Sequence, residues 1–246
     1  MENIYDKLID NISGALAQTK NIKLVLEDEN AKKIVVDFLK SYLELHAFKT
    51  LYQVHFLPAT ELEFNKSLEN IKTSKYKDAI NKLNLDFEED LYETIRFGYV
   101  GLFHKYEAFI NRIKKGVKML DSEDTLNDVF KEIKKKIGFD LLSPLESKFL
   151  YKVNWICNCV KHCDGYPIRE NPPNCLIKLD KSKRIIIGNS EFLIDIDKMI
   201  GLYVIINTLI QMSRVYLMME EEIFEETNNK IKVIYFELID SYKNYI

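Results

Sequence analysis

Apolar residues in this chain recur mainly at three- and four-residue intervals, the spacing of one face of an α-helix. Ile34, Val35, Phe38, Leu39, Tyr42, Leu43 and Leu45 carry the pattern through the first third, and Pro58 is expected to interrupt it. From Phe87 to Leu120, the residues Leu91, Ile95, Tyr99, Leu102, Tyr106, Phe109 and Ile113 form a wide apolar stripe. That stripe predicts a long helix able to act as the spine of a bundle. Ser122 or Asp124 then offers an N-cap, and Gly138 a stop, for a further helix. Ser143, Pro144 at a first helical position and Glu146 three residues beyond the serine mark the start of another, which leads into the segment Asn154 to Pro167.

Past Tyr166 the period changes. Cys175 to Leu179, Arg184 to Ile187 and Phe192 to Ile194 are short β-favouring runs separated by Lys-Ser-Lys and Gly-Asn-Ser, so a small hairpin or three-stranded flap is expected. Helical spacing returns from Ile196 to Met219 and again from Ile231 to Tyr245. The expected fold is therefore mainly α: an antiparallel helical bundle with a small β-hairpin flap between the Asn154 helix and the long helix after it. An N-terminal helical region spans 1–85 and the bundle 86–246, either as separate parts or as one compact unit.

Composition agrees with this reading. The 246 residues include only eight glycines and five prolines, which favours helices joined by limited loop. A formal charge of −3 gives no global positive excess to propose nucleic acid as a partner. The distribution is uneven, however. Nine cationic residues between Lys105 and Lys136 sit on two predicted helices, and Glu220, Glu221, Glu222, Glu225 and Glu226 form an acidic block. Such a lysine-rich surface is either a solvated face or a contact for an anionic partner such as RNA. Met1 to Asp10 reads as an amphipathic helix rather than a secretory leader. The longest apolar run, Met199 to Met212, is broken by Asn207 and Gln211 and falls short of the roughly 20 residues that span a bilayer. A cytoplasmic protein with no membrane partner is expected.

The chemistry concentrates in Asn154-Trp-Ile-Cys-Asn-Cys-Val-Lys-His-Cys-Asp-Gly-Tyr-Pro167, which holds the only tryptophan and three of the four cysteines. On a helix, Asn154, Asn158 and His162 follow at i, i+4 spacing and share one face. Buried amides and imidazoles need partners, so this stripe is expected in a cleft or an interface. Gly165 and Pro167 end the helix, which puts His162 in its last turn. The four cysteines do not make a convincing zinc set: Cys157 and Cys159 lie about 200° apart on a helix, only Cys159 and Cys163 share a face, and no CxxC pair occurs. Neither metal nor cofactor is expected. A Cys-His nucleophile pair lacks any surrounding protease or transferase signature, and no phosphate-binding glycine loop, HExxH pair or GxSxG elbow occurs.

The run Asn158-Cys-Val-Lys-His162-Cys-Asp-Gly-Tyr-Pro resembles the motif of the prokaryotic HEPN superfamily, in which an arginine, often followed by asparagine, precedes a histidine by four to six positions. The aromatic-rich helix Ile95 to Ile110 stands before it as in that superfamily, and the resemblance covers roughly residues 88 to 220. It implies metal-independent RNA cleavage, in which a ribose 2′-hydroxyl attacks the adjacent phosphate. His162 would be the general acid/base, and Asn158 would orient phosphate or histidine. Cys157 stands where the family's arginine stabilises the phosphorane, which removes a charge-assisted contact. Lys161, Lys152 and Arg96 are the candidate replacements, with Asn154 as a further RNA or phosphate contact. The resemblance also implies a homodimer and a place in an antiphage or toxin–antitoxin system, with RNA or an operon partner protein as the binding partner. The alternative is a non-catalytic helical subunit that holds a partner protein.

Overall fold

The computed structural model describes residues 29–82, 88–116, 148–218 and 233. Among these the backbone is mainly helical and contains no strand. In chain order the elements are α1 (Glu29–Thr50), a π-helical segment (Leu51–Phe56), α2 (Leu57–Thr73), α3 (Lys77–Lys82), α4 (Glu89–Gly116), α5 (Lys148–Cys163), a 3-10 turn (Asn174–Leu176) and α6 (Asn189–Met218). The helices expected over 1–10, 122–138 and 231–245, the Ser143–Pro144 start signal and the acidic block at 220–226 lie outside the described residues, apart from Val233. So does the expected domain boundary at 85. No helix among the described residues is long and apolar enough to cross a membrane.

Pro58 does not break the helix as expected. It stands in the first turn of α2, where a missing N–H costs little, directly after the π-helical segment. The N–H of Leu57 reaches back five residues to the Tyr52 carbonyl, and this wider turn takes the chain past the proline ring without leaving helical geometry. The Thr60 hydroxyl donates to the Phe56 carbonyl at 2.8 Å and satisfies an acceptor at the junction.

Contacts divide the chain into two units. Among the described residues, one holds 29–39, 110–116 and 203–218, and in it Ile34, Ile113, Tyr203, Ile206 and Ile210 are buried. The other holds the described residues between 40 and 109 and between 148 and 202 and contains every sequence-predicted site residue. Its core is aromatic at the centre: the Phe192 ring lies 5.0 Å from that of Tyr99 and 5.1 Å from that of Tyr52, both within the range of favourable ring pairs. Ile95, Leu102, Val153, Ile156, Ile196 and Met199 complete it from α4, α5 and α6.

In place of the expected β-hairpin flap, residues 164–188 form a loop built of turns. Pro172 and Pro173 start the 3-10 turn, where Leu176 N–H bonds the Pro173 carbonyl at 2.8 Å. Ile185 and Ile187 point inward and Ile186 outward, so the period-2 reading of that stretch is right about alternation. No ladder forms: the Ile185 N–H donates to the Gly165 carbonyl at 2.8 Å, and its carbonyl accepts from a buried guanidinium, Arg96 Nη1, at 3.1 Å. Phe192 to Ile194 belong to α6: Phe192 N–H bonds the Gly188 carbonyl, and Phe192 and Ile196 enter the core one helical turn apart. The apolar triplet was too short to separate a strand from the first turn of a helix.

Close approach of α4 and α6 requires Gly98. A methyl group there would collide with the Phe192 ring, which is fully buried and held by two aromatic neighbours. Gly98→Ala is expected to lower unfolding stability by roughly 1–3 kcal/mol, as overpacking does, despite alanine's better helix propensity. Urea denaturation of the two proteins measures the difference.

Candidate functional site

Helix α5 is two-faced. Phe149, Lys152, Val153, Trp155, Ile156, Cys157 and Cys159 are buried, whereas Tyr151, Lys161 and His162 are exposed and Asn154 and Asn158 half-buried. At about 100° per residue, Tyr151, Asn154, Asn158, Lys161 and His162 occupy one contiguous arc, while exposed Lys148 and half-buried Val160 and Cys163 lie elsewhere around the helix. The predicted stripe is therefore on the outward side of the helix. Asn158 Nδ2 donates to Asn154 Oδ1 at 2.9 Å, so the two amides satisfy each other in part and retain the Asn158 carbonyl and three N–H directions for a ligand or partner. His162 lies one turn further on and Lys161 beside it.

The helix ends as the glycine predicted. Asp164 and Gly165 both adopt left-handed backbone, φ 51° and 79°, and Gly165 N–H reaches back to the Cys159 carbonyl at 3.1 Å. A side chain on Gly165 would also press on Arg96 Cδ, 2.9 Å away, so glycine is required twice. The chain then returns along α5. The backbone N–H of Arg169 donates to the Cys159 thiol, Trp155 Nε1 donates to the Glu170 carbonyl at 3.1 Å, and the Tyr151 hydroxyl donates to the Asn171 carbonyl. This return brings Arg169, which is exposed, alongside the last turns of the helix that carries His162. Sequence reasoning passed over Arg169; the signal was the Asn171-Pro-Pro-Asn174 turn, which sends residues 167–171 back across the helix face.

Two of the cations proposed from sequence are buried and matched by carboxylates. Arg96 on α4 is 1% exposed. Its Nε and Nη2 donate to Glu93 at 2.8 and 2.5 Å, Nη2 also meets Glu89, and Nη1 holds the Ile185 carbonyl. Glu89 in turn accepts from Arg184 Nη1 at 2.8 Å, and Arg184 pairs with Asp164 and stacks over Tyr166. The chain of charges runs from α4 through the loop to the residue two after His162. Lys152 on α5 is the second case: its Nζ lies 2.6 Å from Asp195 and 2.7 Å from Glu191, and Asp195 also accepts the Tyr99 hydroxyl. Burial works to lower the Lys152 ammonium pKa, but Asp195 and Glu191 outweigh it and raise it above the ordinary lysine value. Burial, followed by the Asp195 charge, raises the Tyr99 phenol far above its usual range.

The structure thus brings Asn154, Asn158, Lys161 and His162 together on one surface and places Lys152 and Arg96 in separate buried networks. Cys157, where the resemblance would call for an arginine, is fully buried, and burial raises its thiol pKa. Burial likewise pushes Cys159 up to about 11, against the opposing pull of Arg169. All four cysteines are free, and no group of three potential metal-ligating side chains converges among the described residues. Compared with protein-family models, curated proteins and solved structures, the chain matches none.

Asp195→Asn should remove one of the two anions that compensate Lys152 and lower stability by roughly 3 kcal/mol, the cost of leaving a buried charge underpaired. Because Lys152 and Tyr99 both have raised folded-state values, the stability they contribute is complete below their ordinary values of 10.5 and 10.0 and is lost as pH rises beyond them. Denaturation midpoints measured from pH 7 to 11 should be level to about pH 10 and then fall, with a shallower fall in Asp195→Asn.

Thiol reactivity gives a separate check. Cys175 is exposed and should be alkylated first by iodoacetamide at pH 8, whereas buried Cys157 and Cys159 should resist in the folded protein. Peptide mass mapping over time reads the order, and the Cys159 rate should climb toward pH 11.

Proposed function

We propose that this chain is a HEPN-like protein of a bacterial conflict system, antiphage or toxin–antitoxin, that acts on RNA through the outward face of α5. The observation that carries the reading is the coincidence of the motif with exposure: Asn154, Asn158, Lys161 and His162 share the open arc of α5 with Tyr151, opposite a face formed by Phe149, Lys152, Val153, Ile156 and Cys159 that is buried. A group that must touch a polymeric substrate has to stand on such a surface. In the proposed reaction His162 takes the proton from a ribose 2′-hydroxyl as that oxygen attacks the adjacent phosphorus, and returns a proton to the leaving 5′-oxygen. Asn158, already oriented by Asn154, donates to a phosphate oxygen. Lys161 and Arg169 are the cations proposed to offset the phosphorane charge. The helices would form an antiparallel bundle that pairs with a second copy through the α5 surface, which would supply further cationic groups to a shared cleft.

A second reading is favoured by one observation. Arg96 and Lys152, the other cations proposed to replace the arginine missing at Cys157, are already matched by Glu89, Glu93, Asp195 and Glu191. A site with only surface cations loses much of the electrostatic stabilisation that buried donors give a transition state. On this reading the same surface holds a partner protein, and the chain is a non-catalytic helical interaction subunit.

Incubation of the purified protein with total cellular RNA, with and without EDTA, separates the two. Cleavage that persists in EDTA and drops at least 100-fold in His162→Ala, with an unchanged circular dichroism spectrum, supports the nuclease. Intact RNA throughout, with loss of self-association or partner binding in His162→Ala, supports the interaction subunit.

A further inference from the structure

The turn between α2 and α3 carries a cluster of chemistry remote in sequence from α5. Between residues 66 and 82 the chain has five lysines against two acids, Glu69 and Asp78, in a protein whose formal charge is −3. Lys72, Lys75 and Lys77 are exposed, and none of them makes an ion pair among the described residues. Exposed Lys66 of the same stretch pairs with Glu63, and half-buried Lys49 and Lys105 pair with Asp197 and Glu44; exposed Lys161 on α5, like the three, has no carboxylate partner among the described residues. Tyr76 stands among the three and is 62% exposed, with Lys75 Nζ 5.0 Å from its ring centroid. The backbone beneath it is held in place. Ser74 accepts Tyr76 N–H on its hydroxyl and Lys77 N–H on its carbonyl, both at 3.1 Å, and the Tyr76 carbonyl accepts Ile80 N–H at 3.0 Å.

A lysine in the last turn of α2 complements the helix dipole, and that accounts for Lys72. It does not account for an aromatic ring left in water between two unpaired ammonium groups. That combination suits a strand with unpaired bases: a base stacks on the free face of the ring while the lysines reach the flanking phosphates. Duplexes hide their base faces, so they would use the lysines alone. We infer that Lys72, Lys75, Tyr76 and Lys77 form a stacking platform that binds single-stranded RNA. The inference rests on the RNA-directed reading above and extends it by a second contact, which would hold the strand independently of the reacting phosphate.

The test uses the full chain and a fluorescein-labelled 2′-O-methyl 12-mer of mixed sequence, which lacks the attacking hydroxyl and so stays intact. Anisotropy titrations are run at several salt concentrations, beside the same sequence as a duplex. Tyr76→Ala is expected to weaken single-strand binding about 10-fold, within the usual range for loss of one stacked base, and to leave duplex binding unchanged. Tyr76→Phe should retain wild-type affinity. Replacing Lys72, Lys75 and Lys77 together by Gln should make the dependence of log affinity on log salt shallower by about 2, since each phosphate contact on a single strand contributes about 0.7. These side chains are exposed, and the variants should keep the wild-type circular dichroism spectrum and melting temperature. If wild-type protein binds the oligonucleotide and these variants bind equally well, the platform is wrong while the RNA reading stands. If Tyr76→Ala is neutral and the lysine variant loses strand and duplex alike, the site is a general polyanion surface and the inference is likewise overturned. If the wild type binds no RNA, the RNA reading itself fails and the platform falls with it.

Discussion

A guanidinium that has left water must find an acceptor for nearly every N–H, and Arg96 sets that requirement at the centre of the larger described unit. Its partners come from two parts of the chain: Glu93 and Glu89 one and two turns back on α4, and the Ile185 carbonyl on the returning end of the loop. Ile185 N–H in turn bonds the Gly165 carbonyl at 2.8 Å, and Arg184 couples Glu89 to Asp164. The position of the turn that ends α5 is thus tied to a charge on α4. An isolated buried ion would be prohibitively unfavourable, and the matched set is what allows it to act as a fixed point. Lys152 repeats the arrangement a short distance along, where Asp195 joins it to Tyr99 and so links α5, α6 and α4.

Charge in this unit is divided by location. The buried cations are matched; among the exposed ones Lys66 pairs with Glu63, whereas Lys161, Arg169, Lys72, Lys75 and Lys77 have no carboxylate partner among the described residues. A formal charge of −3 conceals that division, since attraction for an anion depends on the local field at the surface rather than on the sum. The local field is also what an RNA-directed role for α5 would draw on.

Much of the helical framework was legible because an amphipathic helix writes its period into the sequence. The stripe from Leu91 to Ile113 and the stop at Gly165 follow from spacing and from glycine's freedom at positive φ, and both are in the structure. The i, i+4 relation of Asn154 and Asn158 was legible for the same reason and became a hydrogen bond. What spacing could not convey was which side of α5 faces solvent, or which charges are already matched. Arg96 and Lys152 look in sequence like any other cations. Glu93, three residues before Arg96, was within reach of helical spacing, but Ile185 and Asp195 are 89 and 43 residues away from Arg96 and Lys152, and no local pattern encodes those pairings. The β-flap reading failed on a related point: Ile185-Ile-Ile187 alternates as a strand does, but a strand also needs a repeated ladder, and here a single backbone bond to Gly165 is flanked by a side-chain donor on the Ile185 carbonyl.

The π-helical segment before Pro58 carries a consequence of another kind. A wide turn holds a residue more than an α-turn, so Leu51–Phe56 takes in one residue beyond what regular helix needs to carry the same angular phase from α1 into α2. Removing one there would let the turn close to an α-turn and leave Leu57 buried, whereas removing one from regular α-helix would rotate everything downstream by about 100° around the helix axis. The segment is therefore the place in this helical run where a single-residue deletion disturbs the core least.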